Sequence, residues 1–180
     1  MSGHNKWSKI KHKKGATDAQ KSRVFSKHSM MITMEVRKAG GDVSSSGVLA
    51  AIERAKKDSM PKDNIDRALA KASGAGGAAL EEVTYEAFGP AGAGMIITAV
   101  TDNNNRTAPL IRHVFSKAGY HIGAPGSAAW AFTKTADGYI PTSPLELSEA
   151  DGEKLSHLIE ALEELDDVHD IYTTADSPDE

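Results

Sequence analysis

"SGAGGAALEEVTYEAFGPAGAGMIITAV", Ser73 to Val100, is where the hydrophobic period of the chain changes. Its first part, "SGAGGAAL", is all small residues up to Leu80 and reads as a flexible linker. Beyond it Val83, Tyr85 and Ala87 alternate with polar neighbours, the period of a half-buried strand. "GPAGAG" at 89–94 turns the chain, and "MIITAV" at 95–100 is a continuous apolar run of buried-strand length. The glycine-rich turn lacks the Lys-Ser/Thr of a P-loop and joins two strands, so it predicts a hairpin loop and not a nucleotide site.

Upstream of Ser73 the period is helical. Thr17-Asp18 starts a helix whose stripe is Val24, Phe25, His28, Met31, Ile32, Val36 and Ala39, closed by Gly40-Gly41. A second helix follows the serines at 44–46, with Val48, Leu49, Ile52 and Ala55 expected inward. Pro61 suits the first turn of a third, where Asp63 meets the positive end of the dipole and Ile65, Leu69 and Ala72 form the stripe.

Downstream, "NNNRTAPLIRHVFSKAG" predicts a turn and a helix with Leu110, Ile111, Val114 and Phe115 inward. Asn105 or Thr107 is placed to cap it. A short strand is expected near Tyr120–Ile122 and another at "SAAWAFTK" (127–134). Ser148 and Asp151 make an S-x-x-D cap for a helix with Leu155, Leu158, Ile159, Leu162 and Leu165 inward. "VHDIYTT" closes the set. The class is therefore α+β: an N-terminal three-helix domain followed by a ferredoxin-like α+β sandwich with a mainly antiparallel sheet. Residues 1–74 are a basic arm plus the helical domain, 75–80 the rest of the linker, 81–175 the α+β domain and 176–180 an acidic tail.

Composition narrows the chemistry. The 180 residues contain no Cys, which removes disulfides, thiolate metal sites and Cys nucleophiles. No apolar run approaches a membrane span and none follows Met1, so a cytoplasmic protein is expected. The net charge of −4 hides a division: residues through Gly74 sum to +9 and the remainder to −13. The basic part is suited to a polyanion, the acidic part to a different partner such as a protein.

The basic charge begins at once. Lys6, Lys9, Lys11, Lys13, Lys14, Lys21, Arg23 and Lys27 face a lone Asp18, with His12 among them. Lysine heads pair with phosphates as point charges and release counterions. Trp7 offers a flat face for stacking on a base or for packing beneath the helices. Arg106, at a helix start, could join free backbone N–H groups in holding a phosphate, or simply belong to a strand-to-helix turn built on Asp102, Asn103, Asn104 and Asn105.

These segments resemble the YebC/PmpR family. "GHNKWSKIKHKKGATDAQKSRVFSK", "YEAFGPAG", "TDNNNRT" and "IRHVFSKAG" stand in that family's order across nearly the whole chain. The family includes bacterial proteins called transcriptional regulators and mitochondrial translational activators of cytochrome oxidase. The resemblance implies three domains, the third inserted into the second. Here only "TADGYIPTSPLEL" (135–147) stands between about 134 and 148, far short of the roughly 50 residues a domain needs. The chain thus reads as a short form lacking the third domain. It departs also at Asn104, where the family usually carries a basic residue.

The remaining motifs carry little chemistry. The seven histidines lack an H-E-x-x-H spacing, and Glu160, Glu163, Glu164, Asp166 and Asp167 read as the solvated end of an amphipathic helix. Ser2-Gly3-His4, after loss of Met1, could enclose Cu(II) or Ni(II), but no other feature supports it. No nucleophile, base and orienter stand together. The expectation is a non-enzyme without cofactor, metal, membrane or small-molecule substrate. It would be a nucleic-acid-binding regulator of gene expression, acting on DNA as a transcriptional regulator or, alternatively, on ribosomal RNA as a translation factor. A plain protein-interaction module is the third possibility.

Overall fold

The computed structural model describes residues 18–73, 79–136 and 138–176. The chain divides into two compact units, Ala16–Glu81 and the part from Glu82 onward, each with its own core.

In the first unit, helix α1 (Asp18–Lys38) packs against α2 (Ser46–Lys57) and α3 (Lys62–Ser73). Ile32, Val36, Val48 and Ile65 are buried together with Ala51, Ala55, Met60 and Ala68. Each fully buried aliphatic side chain contributes about 1.5–3 kcal/mol, so a core this small depends on every large member. Val24 and Leu49 were expected inward but are 38% and 51% exposed. The alanines at 51, 55 and 68 let the helices approach closely and take their places in the core. The α1 stripe closes at Gly40 and Gly41, both at positive φ, as the paired glycines predict.

In the second unit, strands β1 (Glu81–Phe88), β2 (Gly94–Thr101), β3 (His121–Ile122) and β6 (Val168–Thr173) form a sheet of order β3-β1-β2-β6. The pairs β1–β3 and β2–β6 are antiparallel, with a register shift between Thr98 and Ala99. Helices α4 (Asn104–Lys117) and α5 (Glu149–Glu163) cover one face, burying Ala87, Met95, Ile97, Ile111, Phe115 and Leu158. A separate hairpin, β4 (Phe132–Thr135) and β5 (Gly138–Pro141), covers the other face through Phe132, Ile96 and Tyr172. Covered on both sides, β2 is buried at every position, the reason "MIITAV" has no alternation.

Three expectations are corrected. "SAAWAFTK" is strand only from Phe132; Ala129–Ala131 form a 3-10 turn. The strand β5 lies in the segment read as a bare connection. Leu110, expected inward, is 45% exposed. Beyond β5 the chain runs to α5 with Leu145 bridged to Ala175, so the joining segment is pinned to the sheet edge. No helix among the described residues is long and apolar enough to cross a membrane.

Candidate nucleic-acid interface

The residues expected to touch nucleic acid fall in three places. Lys6, Trp7, Lys9, Lys11, His12, Lys13 and Lys14 lie outside the described residues, as do Ser2, Gly3 and His4. Lys21, Arg23 and Lys27 stand on the first half of α1, a stretch in which no residue from Asp18 to His28 is buried. Core packing of α1 is concentrated later, around Ile32 and Val36. The first half of α1 therefore continues the sequence's run of positive charge, while Phe25 within it packs against the helical core.

Farther along α1, His28 Nε2 lies 2.7 Å from Asp58 Oδ2, at the end of α2. This explains a histidine on the apolar stripe. Its ring ties α1 to the α2–α3 turn.

Arg106 lies in the second unit, within the "TDNNNRT" turn. Asn103 caps α4, its side chain accepting the Asn105 N–H at 3.1 Å. The expected caps, Asn105 and Thr107, are displaced because the helix starts two residues earlier. Thr107 Oγ1 instead donates to Asp167 Oδ2 at 2.6 Å and lies 2.8 Å from Thr101 Oγ1, which accepts the Asn103 N–H at 2.9 Å. The Arg106 guanidinium donates to Asp167 Oδ2 and pairs with Asp102, each at 3.0 Å. Hydrogen bonding to Asp167 and its charge raise the Arg106 pKa. Asp167 is buried, and a buried carboxylate requires such partners. The turn is thus a strand–helix–strand lock, and Arg106 shares its charge with two carboxylates. Asn104, the departure from the family pattern, accepts a hydrogen bond from the Tyr85 hydroxyl.

Two features escaped sequence reading. The Glu86 carboxylate accepts the backbone N–H groups of Gly126, Ala128 and Ala129, all at 2.7 Å. Burial opposes its ionisation, but these three bonds together lower its pKa. They fix the loop that presents Trp130, which is 75% exposed with its indole N–H donated to Ser127 O at 2.7 Å. The second feature is a pair of exposed cations on α4, Arg112 and Lys117, with the exposed His113 between them in sequence. A readable signal existed: Asn103–Ala136 contains no Asp or Glu, inside an otherwise acidic half. Among the described residues no group of three or more His, Asp or Glu side chains is placed to hold a metal ion.

Residues 5–75 match the TACO1/YebC protein N-terminal domain. Residues 80–137 and 135–175 match the TACO1/YebC second and third domain in two stretches that meet at the β4–β5 turn. A "Probable transcriptional regulatory protein" of Desulfatibacillum aliphaticivorans is 35% identical, covering 100% of this chain and 98% of that protein. That alignment runs over 244 positions, more than the 180 residues present here. A protein of the same name from Desulfosudis oleivorans is 46% identical, with 96% and 71% covered. The crystal structure of a conserved hypothetical protein from Aquifex aeolicus superposes with a TM-score of 0.82 at 29% identity, over 97% of this chain and 98% of that one. Matched from the basic arm to the last strand, this chain belongs to the TACO1/YebC family.

Proposed function

We propose that this protein is a non-catalytic, cytoplasmic nucleic-acid-binding regulator of gene expression, and a two-domain short form within its family. The observation that carries the reading is the run of cationic charge from Lys6 through Lys27, whose last three members, Lys21, Arg23 and Lys27, stand on the first half of α1, where no residue is buried. Closely spaced lysines without an apolar face favour phosphates over a folded protein surface, and each neutralised phosphate releases counterions. Trp7 adds a stacking face. Arg106 contributes least, because Asp102 and Asp167 already share its charge. The acidic second unit meets a protein partner or orients the complex.

The relatives' names point to transcription, hence to DNA as the polyanion. Ribosomal RNA is the second reading, since the Lys- and His-rich arm carries no base-reading pattern of Arg and Asn. The missing third domain is supported by the junction of the two matched stretches at the β4–β5 turn. The deciding experiment compares sedimentation of the chain with ribosomes against footprinting on promoter DNA. Ribosome association without a footprint selects RNA, a footprint without association selects DNA, and neither would refute the proposal.

A further inference from the structure

Helix α1 has two covered sides, and the helical core accounts for one of them. Ile32 and Val36 belong to that core, which α1 forms with α2 and α3. Met34 is two residues from each, about 200° round the axis, and so points away from the core. Yet Met34 is only 3% exposed, and its neighbour Thr33 5%. Met34 belongs to none of the hydrophobic clusters formed by the described residues. On the same side of the helix stand Arg23, Lys27 and Met30, all half-buried. With Met34 they follow the spacing i, i+4, i+7, i+11 and lie within about 60° of one another. Ser22 and Val24, about 100° to either side of Arg23, are exposed.

A methionine buried so far from the core needs another large apolar side chain over it. Of the stretches beyond the described residues, 74–78 holds only Gly and Ala, Asp137 stands alone, and 177–180 reads Ser-Pro-Asp-Glu. Among them only residues 1–17 supply large apolar side chains, those of Met1, Trp7 and Ile10. We infer that the basic arm runs back along this outer side of α1, with Trp7 against Met34 and Ile10 against Met30. The thioether takes one face of the indole, a favourable sulfur–aromatic contact, and the other face stays open for a base.

The lengths agree. Met34 lies 16 residues beyond Asp18 and Met30 lies 12, about 24 and 18 Å along the helix. Trp7 precedes Asp18 by 11 residues and Ile10 by 8. Both contacts thus need about 2.2 Å per arm residue, well below the roughly 3.3–3.6 Å of an extended chain. The arm's lysines then run beside Arg23 and Lys27. Like charges held together repel, and phosphates lying among them relieve that repulsion. Docking also removes part of the ordering entropy that a free arm loses on binding. The packing rests on the burial of Met34. The shared phosphate surface rests on the nucleic-acid reading above.

The test treats the full chain with dilute hydrogen peroxide and reads methionine sulfoxide by peptide mass spectrometry, because oxidation follows exposure of the thioether. Met60 and Met95, in the helical core and the sheet core, are internal standards. In the wild type Met34 is expected to react as slowly as they do. Trp7→Ala should raise the Met34 rate on the order of tenfold with both standards unchanged, and Trp7→Phe should keep the protection. Met34 as protected in Trp7→Ala as in the wild type would overturn the inference, since another segment must then cover it. Equal gains at Met34 and Met60 would overturn it as well, because the whole helical unit would have opened. Wild-type protection that disappears on dilution assigns the cover to a second copy of the chain and also overturns it. Trp7 reports the contact from its other side. In a Trp130→Phe background, Met34→Ala should move the Trp7 emission to the red and Met34→Leu should not; unchanged emission in Met34→Ala contradicts the contact. Lys11→Glu/Lys13→Glu/Lys14→Glu separates this inference from the functional reading. It keeps Trp7, so Met34 should stay protected while affinity for a labelled DNA duplex or RNA strand, read by anisotropy, is lost. Retained affinity with Met34 protected refutes the functional reading and leaves the packing standing.

Discussion

Glu86→Gln should loosen one loop of the α+β unit and leave the rest of the fold in place. The wild-type carboxylate accepts three backbone N–H groups at 2.7 Å, from Gly126, Ala128 and Ala129. Hydrogen bonds to a charged group are each worth about 1.5–3 kcal/mol, but three on one carboxylate do not add fully. Glutamine keeps one acceptor oxygen and turns an amide toward the remaining donors. A net loss of about 2–3 kcal/mol is therefore expected. For a domain of this size that corresponds to a melting temperature lower by roughly 8–24 °C if the whole unit responds. Trp130 follows this loop, and Trp7 is the only other tryptophan. In a Trp7→Phe background, acrylamide quenching of Trp130 should rise and its anisotropy fall in the variant. The pH dependence has a fixed sign. The Glu86 pKa is lowered in the folded chain, so its stabilisation is complete above the ordinary glutamate value. It is lost as pH falls through the lowered folded value. The difference in melting temperature between wild type and Glu86→Gln should hold constant from pH 7 to about 5 and shrink below about 4.5. A shift under 2 °C at pH 7 with unchanged Trp130 anisotropy would refute the claim that Glu86 holds the loop.

Thr107→Val leaves Asp167 without its 2.6 Å hydroxyl partner and should cost about 1–3 kcal/mol in urea melts, with Arg106→Ala milder because that side chain is half exposed. Gly138→Ala, at φ +120° and against the Tyr172 ring, should destabilise by about 1–3 kcal/mol by the same assay, whereas a neutral outcome would mean the β4–β5 turn can shift. Fragments 16–81 and 79–180, expressed separately, should each melt cooperatively because each holds its own core; two unfolded fragments would refute the division.

The fold was largely legible from the change of period at Ser73–Val100, because helical and alternating patterns impose different faces. "MIITAV" signalled a doubly covered strand, and "S-x-x-D" at Ser148 became the observed cap, its hydroxyl accepting the Asp151 N–H. What sequence could not deliver depends on tertiary choice. Leu49 and Val24 have the same side-chain chemistry as core residues, and only close approach through alanines leaves them outside. Glu86 is one acid among many until a loop forty residues later folds back onto it. Arg106 looked available for phosphate because its partner Asp167 is sixty-one residues away.

The most direct test of the central claim is the salt dependence of nucleic-acid affinity for the wild-type chain and for Lys11→Glu/Lys13→Glu/Lys14→Glu. If Lys9, Lys11, Lys13, Lys14 and Lys21 each neutralise a phosphate of duplex DNA, log K should fall against log salt with a slope of about −4 to −5. With RNA the slope is about −3.5 for the same five contacts. The triple variant should lose binding to either while its melting curve is unchanged. A slope near zero in the wild type, or full affinity in the variant, would contradict the account.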